Sequence, residues 1–269
     1  NHHLRYTWTQ PKYKGFTIAL LVLLGWGASV STGVLGLNPY AGLLVADVIW
    51  ASLTMWLTIG LFITAHDAMH GLILPLHPKA NAWVGRISLF LYAGLSYKRL
   101  LKGHMAHHAQ PSEQEDPDYW PEWGVAWYFR FMLQYLTPMP IIFVACTYHF
   151  LAHGVGLSIP RLIGMWIIPQ IFSSVQLFYF GTYLPHRPDK PFEGTGLTKA
   201  RSNNYSIGIS LLTCYHFGYH FEHHAAPSVP WWALPKVRKQ IRECLNTPAL
   251  YPETSSSNAS KPCPNPKEE

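Results

Sequence analysis

A chain of 269 residues is long enough for one large domain or two small ones. Charged residues make up 13% of it, about half the ~25% of globular proteins, while apolar residues reach 49%. That composition argues against an ordinary soluble surface, and a net charge of +6 fits an anionic membrane surface better than a nucleic acid.

The mean hydropathy of +0.05 hides strong segregation along the chain. Residues 1–15 form a polar lead-in, in which His2 and His3 are set aside. Apolar stretches follow at 16–37, 40–65, 138–157 and 161–184, each near the ~20 residues a helix needs to cross a hydrocarbon core. The second carries a single charge, Asp47. A signal peptide is a poor reading of the first, because another long apolar stretch follows at once. Two shorter apolar pieces, 87–97 and 127–136, read as re-entrant or interfacial helices. From Pro252 onward, serine, proline and charge dominate, as in a disordered tail. The expectation is an all-α integral membrane protein. It has about four transmembrane helices, re-entrant or interfacial helices, and a cytoplasmic histidine-rich metal-binding cap. The lead-in is 1–15, the membrane domain 16–251 and the tail 252–269.

Lysine and arginine set the orientation. Arg5, Lys12 and Lys14 precede the first stretch. The region between the second and third carries Lys79, Arg86, Lys98, Arg99, Lys102 and Arg130, and the region after the fourth is basic again. The turn at 38–40 has no basic residue, and the turn at 154–160 is followed only by Arg161. Both termini and both long polar regions are therefore expected on the cytoplasmic side of the cytoplasmic membrane. The four cysteines are scattered, with no C-x-x-C pair, so neither a zinc ribbon nor a disulfide framework is indicated.

Three histidine clusters share one grammar. "HDAMH" supplies His66 and His70, "HMAHH" His104, His107 and His108, and "HFEHH" His220, His223 and His224. On a helix, spacings of three and four bring side chains to one face, and imidazoles so grouped are a metal-ligand pattern. All three clusters fall in or beside the cytoplasmic regions. Eight ligands exceed the roughly six that one ion accepts, so two ions are the economical reading. "HFLAH" (His149, His153) shares the spacing but sits inside the third stretch, toward the opposite side, and is read as chance. Neither the Glu-x-x-His motif of carboxylate-bridged di-iron bundles nor the zinc-protease H-E-x-x-H occurs. By ligand type alone, iron and zinc both remain open.

The boxes resemble those of the membrane fatty-acid desaturase and hydroxylase superfamily, whose non-haem di-iron centre is held by HxxxH, HxxHH and HxxHH motifs. Within it, "HDAMHG", "HMAHH" followed by "EDPDYW", "FYFGTYLPHRP" and "CYHFGYHFEHHAAPSVPWWALP" look like the β-carotene ketolases, over roughly residues 16–245. The resemblance implies iron ligation by His66, His70, His104, His107, His108, His220, His223 and His224. It further suggests a ligand after the last span, for which His186 in "YLPHRP" is favoured over His216. Asp67 and Glu222, inside the boxes, are candidates to orient imidazoles, as are Asp116 and Asp118, which also suit a turn at Pro117.

The implied reaction is ketolation of β-carotene at C4 and C4′ of its β-ionone rings, giving echinenone and canthaxanthin and leading toward astaxanthin. It takes O2 as co-substrate, two iron ions, and an external electron donor of ferredoxin type, since the chain has no flavin or nucleotide motif. The substrate would enter from the bilayer lipid, past residues such as Phe62, Tyr97, Phe178, Tyr179 and Trp232. The alternatives are a β-carotene 3-hydroxylase, an acyl-lipid desaturase and, from another class, a membrane metal transporter. Transport calls for ionisable residues within the spans, and apart from Arg161 at the edge of the fourth these hold only Asp47, His149 and His153.

Overall fold

The structure, a computed structural model, describes residues 11–37, 42–121 and 124–245. The turn at 38–40, most of the polar lead-in and the tail 252–269 lie outside them. The described residues are helical, without a strand, apart from one isolated bridge between Ser202 and Tyr219.

Helices α1 (Lys14–Leu35) and α2 (Leu44–Met69) are both long and apolar enough to cross a membrane. At 26 residues, α2 extends about 39 Å, beyond the ~30 Å of a hydrocarbon core. The first histidine box thus occupies its last turn. Burial along α2 is uneven. Val45, Val48 and Ile49 in its first half are exposed, whereas Ile63 to Ala68 are buried. Similar exposed apolar residues occur on α1 (Leu20, Leu21, Leu24) and on α7 (Ile159–His186), at Ile168, Ile171 and Phe172. Soluble surfaces rarely carry so much contiguous apolar area, and a bilayer covers it.

Helix α3 (Pro78–Ala93) packs along α2 as a short antiparallel partner. The two approach closely at Gly85, where a Cβ would stand 2.9 Å from that of Ala68. Asn81 secures the turn between them. Its buried side-chain amide donates to the Ala68 carbonyl, and its oxygen accepts from the backbone N–H of Ile73 and Leu74. Gly94, at φ 68°, ends α3 in the left-handed conformation that suits glycine. Helix α4 (Tyr97–Ala109) then starts from Ser96, whose hydroxyl accepts from the backbone of Arg99. The re-entrant piece read at 87–97 is therefore the second half of a helix that begins earlier, at Pro78.

Helices α5 (Gly124–Tyr135) and α6 (Pro138–Gly154) meet at an 85° bend. Pro138 opens α6 and cannot continue the hydrogen-bond ladder of α5. The expected interfacial piece at 127–136 and the expected third span are thus two helices set nearly at right angles across Pro138. Among the described residues, three helices are long and apolar enough for a span, or four if this bent pair counts as one. Helix α7 contains two π turns, Ile163–Ile167 and Phe178–Tyr183, the second immediately before its last turn at His186. Such turns insert a residue into the ladder and are frequent at functional sites.

Beyond α7 lie α8 (Ile207–Cys214), α9 (His220–Ala225) and α10 (Leu234–Leu245). Tyr215 and His216 link α8 to α9 with φ of 49° and 61°, an uncommon conformation for residues with side chains. Their rings are held in place, Tyr215 stacked on Trp56 and His216 on Tyr219. Cys146 and Cys214 are free thiols.

Candidate metal centre

The three boxes converge where the ends of α2, α4, α7 and α9 meet, and they sort into two groups. His66, His70, His104, His108 and His223 bring one nitrogen each within 4.8 Å of one another, and His107, His186, His220 and His224 do the same. Neither group corresponds to a single box. The second and third boxes each divide, His107 parting from His104 and His108, and His223 from His220 and His224. Consecutive residues of a helix point roughly 100° apart, so His107 and His108, or His223 and His224, can serve two sites.

Tautomers are set from outside. In the second group every Nδ1 has a partner away from the centre. His107 meets Asp116 Oδ2 at 2.8 Å, His186 meets Ser112 Oγ at 2.8 Å, His220 meets the Phe217 carbonyl at 3.3 Å and His224 the Leu197 carbonyl at 3.1 Å. The Nε2 atoms face inward. That of His224 lies 3.1 Å from His107 Nε2 and 3.2 Å from His220 Nε2, and that of His186 is buried without a hydrogen-bond partner. In the first group, Nε2–Nε2 separations are 3.2 Å for His66 and His223, 2.7 Å for His70 and His104, and 2.9 Å for His108 and His223. Imidazole lone pairs aimed at each other over such distances repel, unless a cation sits among them. Outward Nδ1–H and inward Nε2 is how histidine ligates a metal ion, so the donor set fits two nitrogen-bound ions.

The electrostatics agree. Burial lowers His220 to about 3 and His70 to about 4. Burial, followed by repulsion from neighbouring imidazolium, also holds His104, His108, His223 and His224 well below the ordinary histidine value. These rings are neutral at physiological pH, as ligation requires. His107 is the exception. Burial disfavours its charge, but the hydrogen bond and the charge of Asp116 outweigh that and raise its pKa.

The expected orienting residues divide in two. Asp67 Oδ1 lies 3.2 Å from His66 Nδ1, and its Oδ2 accepts from the backbone of Trp231, tying the first box to the segment after the third. Asp116 holds His107 and also accepts from the backbone N–H of Ser112 and Asp118. Glu222 contacts no imidazole. Its carboxylate pairs with Arg238 at 2.6 Å and accepts from the Ser202 hydroxyl, bracing α9 against α10. Asp118 accepts from the Tyr135 hydroxyl, and burial raises it to about 6. His216 belongs to neither group, and His149 stacks on His153 with ring centroids 5.6 Å apart, outside both. Ser112 and the carbonyls of Leu197 and Phe217 escape sequence reasoning, because serine in "QPSEQED" reads as loop and a carbonyl has no signature.

A cavity of about 910 Å³, its open mouth included, reaches both groups. Its walls are chiefly apolar, among them Phe62, Met69, Tyr92, Leu95, Leu100, Phe131 and Leu177, and His66, His104, His107, His186 and His220 also line it. Of the five residues expected beside a substrate passage, Phe62 lines this cavity. Tyr97 borders an outer groove instead, Phe178 is packed among aromatic rings, and Tyr179 and Trp232 are elsewhere. Leu95 lines both the groove and the cavity.

A helical chain with candidate membrane spans and two buried imidazole groups at one end of its helices is the architecture of a membrane-bound histidine-box protein. The fatty acid desaturase family profile matches residues 42–150 and 133–254. The chain is 40% identical over 231 residues to a β-carotene ketolase of Paracoccus sp. (strain PC1), covering 84% of this chain and 91% of that one. It is 44% identical over 189 residues to a β-carotene ketolase of Paracoccus sp. (strain N81106 / MBIC 01143), 68% and 75% of the two chains. A zeaxanthin 4-ketolase of Chlamydomonas reinhardtii is 34% identical over 247 residues, 87% of this chain and 55% of the relative. The chain belongs to the fatty acid desaturase family, in its branch of β-carotene ketolases.

Proposed function

We propose that this protein is an O2-dependent di-iron oxygenase that converts β-carotene to echinenone and canthaxanthin by ketolation at C4 and C4′. The observation that carries the reading is the apolar cavity ending on two groups of inward-facing imidazole nitrogens, in a chain homologous to carotenoid ketolases. One iron would be held by His66, His70, His104, His108 and His223, and the other by His107, His186, His220 and His224.

Bound iron supplies the oxidant made from dioxygen and two electrons. Each hydroxylation consumes the ring CH2, O2, two electrons and two protons, and gives CHOH and water. A second hydroxylation at the same carbon gives a geminal diol, which loses water to leave the ketone. The protein's part is to place C4 and to keep the cavity dry. Phe62, Leu95, Leu100, Phe131 and Leu177 offer an apolar surface to a hydrocarbon ring. Asp67 and Asp116 fix the rings of His66 and His107. Glu222, through Arg238, holds the helix that carries the third box.

The carotenoid comes from the bilayer lipid, and the electrons from an external donor of ferredoxin type, since the sequence carries no flavin or nucleotide motif; no nucleic acid takes part. Basic-residue asymmetry favours four spans in the cytoplasmic membrane, with both termini and the metal centre on the cytoplasmic side. The oxygenase domain is residues 16–251. Pigment analysis of β-carotene-producing cells expressing the chain tests the reading. Echinenone and canthaxanthin are expected, whereas ring hydroxylation at C3 without ketones would overturn it in favour of a 3-hydroxylase.

A further inference from the structure

Ser112 lies in the loop after α4 at φ 59°, a conformation uncommon for a residue with a side chain. Three hydrogen bonds hold it there. Its backbone N–H donates to Asp116 Oδ2 at 2.8 Å, its hydroxyl donates to the Lys199 carbonyl at 3.0 Å, and its Oγ lies 2.8 Å from His186 Nδ1. A carbonyl oxygen only accepts, and a serine hydroxyl has one proton to give. With that proton committed to Lys199, Oγ meets His186 with a lone pair, so Nδ1 carries the ring proton.

The other nitrogen of His186 then has a free lone pair. His186 is completely buried and its Nε2 has no hydrogen-bond partner. A proton on that nitrogen would be an unsatisfied buried donor, which is costly, whereas a lone pair turned toward His107, His220 and His224 suits a metal ion. The same turn governs a second ring, because the Asp116 oxygen that accepts from Ser112 also accepts from His107 Nδ1.

We propose that Ser112 is a positioning residue that holds His186 in its Nδ1–H tautomer and thereby completes the four-imidazole group as a metal site. The inference rests on the metal reading above and adds to it a residue with no place in any histidine box. Lys199 takes part only through its carbonyl, as its ammonium is paired with Glu113.

The test is anaerobic titration of metal-free protein in detergent with Fe(II), resolving two binding steps. Ser112→Gly removes the hydroxyl, keeps the backbone N–H and suits the positive φ; Ser112→Ala is a second deletion of the same group. Both are expected to weaken one step by about 10–100-fold, as loss of an outer partner of a ligating histidine does, and to leave the other within about twofold. In a His186→Ala background, Ser112→Gly should have no further effect on that step. Two unchanged steps in folded Ser112→Gly protein would overturn the proposal. So would an equal loss in the His186→Ala background, which would mark Ser112 as a general loop support. Wild-type protein binding fewer than two Fe(II) would overturn the metal reading itself, and this proposal with it.

Discussion

His70 and His104 stand 34 positions apart in the chain, yet their Nε2 atoms lie 2.7 Å apart. One ends α2 and the other sits on α4, and the Asn81-pinned turn lets the two elements bring them together. With both nitrogens unprotonated, as metal ligation requires, a pair this close calls for a cation beside it. Purified protein is therefore expected to contain about two iron ions per chain, by the coordination limit of one ion. His104→Ala should lower that number toward one. Metal analysis showing a single ion in the parent protein, or undiminished iron in the variant, would contradict the two-group arrangement.

The same burial makes the metal-free protein sensitive to acid. His220 and His70 titrate near 6.5 when unfolded but at about 3 and 4 when folded. Between those values and 6.5 the unfolded chain binds protons that the folded chain refuses. Their contribution to stability is complete above pH 6.5 and is lost as the pH falls toward 4 and 3. His107, whose pKa is raised, acts oppositely, contributing fully below 6.5 and losing its contribution as the pH rises through its folded value. One such ring stands against several lowered ones. The melting temperature of metal-stripped protein should fall between pH 7.5 and pH 5, and an unchanged or rising value would contradict the balance.

Much of this centre is legible in the sequence, because helix geometry turns spacings of three and four into a shared face. The eight box histidines and His186 follow from that rule and from a family resemblance. Their partition does not. That His107 leaves its own box to join His186 depends on the angle at which α4 crosses α7 and α9, a tertiary quantity. Glu222 illustrates the opposite error, since its place inside "HFEHH" suggests a ligand partner while its charge is taken by Arg238 sixteen positions away. The 85° break at Pro138 was also present as a proline, but an apolar run on either side of it reads equally well as one span and a separate interfacial piece.

Leu95 is shared by the cavity and by the groove that Trp83, Ile87, Phe90 and Tyr97 form on the outer surface. A long apolar substrate arriving from lipid would pass this point. Leu95→Trp should obstruct the passage and reduce ketone formation at least about tenfold, at a stability cost of about 1–3 kcal/mol for overpacking. Iron content should be unchanged, because Leu95 belongs to neither imidazole group. Undiminished pigment conversion in this variant would exclude the groove as the route.

Orientation is accessible to labelling. Ser158 immediately precedes α7, at the end opposite His186. With the metal centre facing the cytoplasm, a cysteine at Ser158 should react with an impermeant thiol reagent added from outside the cytoplasmic membrane, in a background lacking the four native cysteines. Protection from outside together with labelling from the cytoplasm would invert the assignment made from basic residues.

His186 and His153 are both single histidines on apolar helices, and the structure separates them. His186 is fully buried at the end of α7, with Nδ1 held by Ser112 and Nε2 turned toward His107, His220 and His224. His153 lies in the last turn of α6, where its ring stacks on His149 and belongs to neither metal group. His186→Ala removes one of four inward nitrogens and leaves the hydroxyl of Ser112 without its imidazole. It should abolish ketone formation and reduce the iron content by about one ion, as the four-nitrogen site loses a ligand. His153→Ala should retain both iron and activity. The readout is echinenone and canthaxanthin in β-carotene-producing cells, normalised to protein level. Full activity with two irons in the His186 variant would remove it from the ligand set, and loss of activity in a normally expressed His153 variant would place that residue closer to the chemistry than the fold allows.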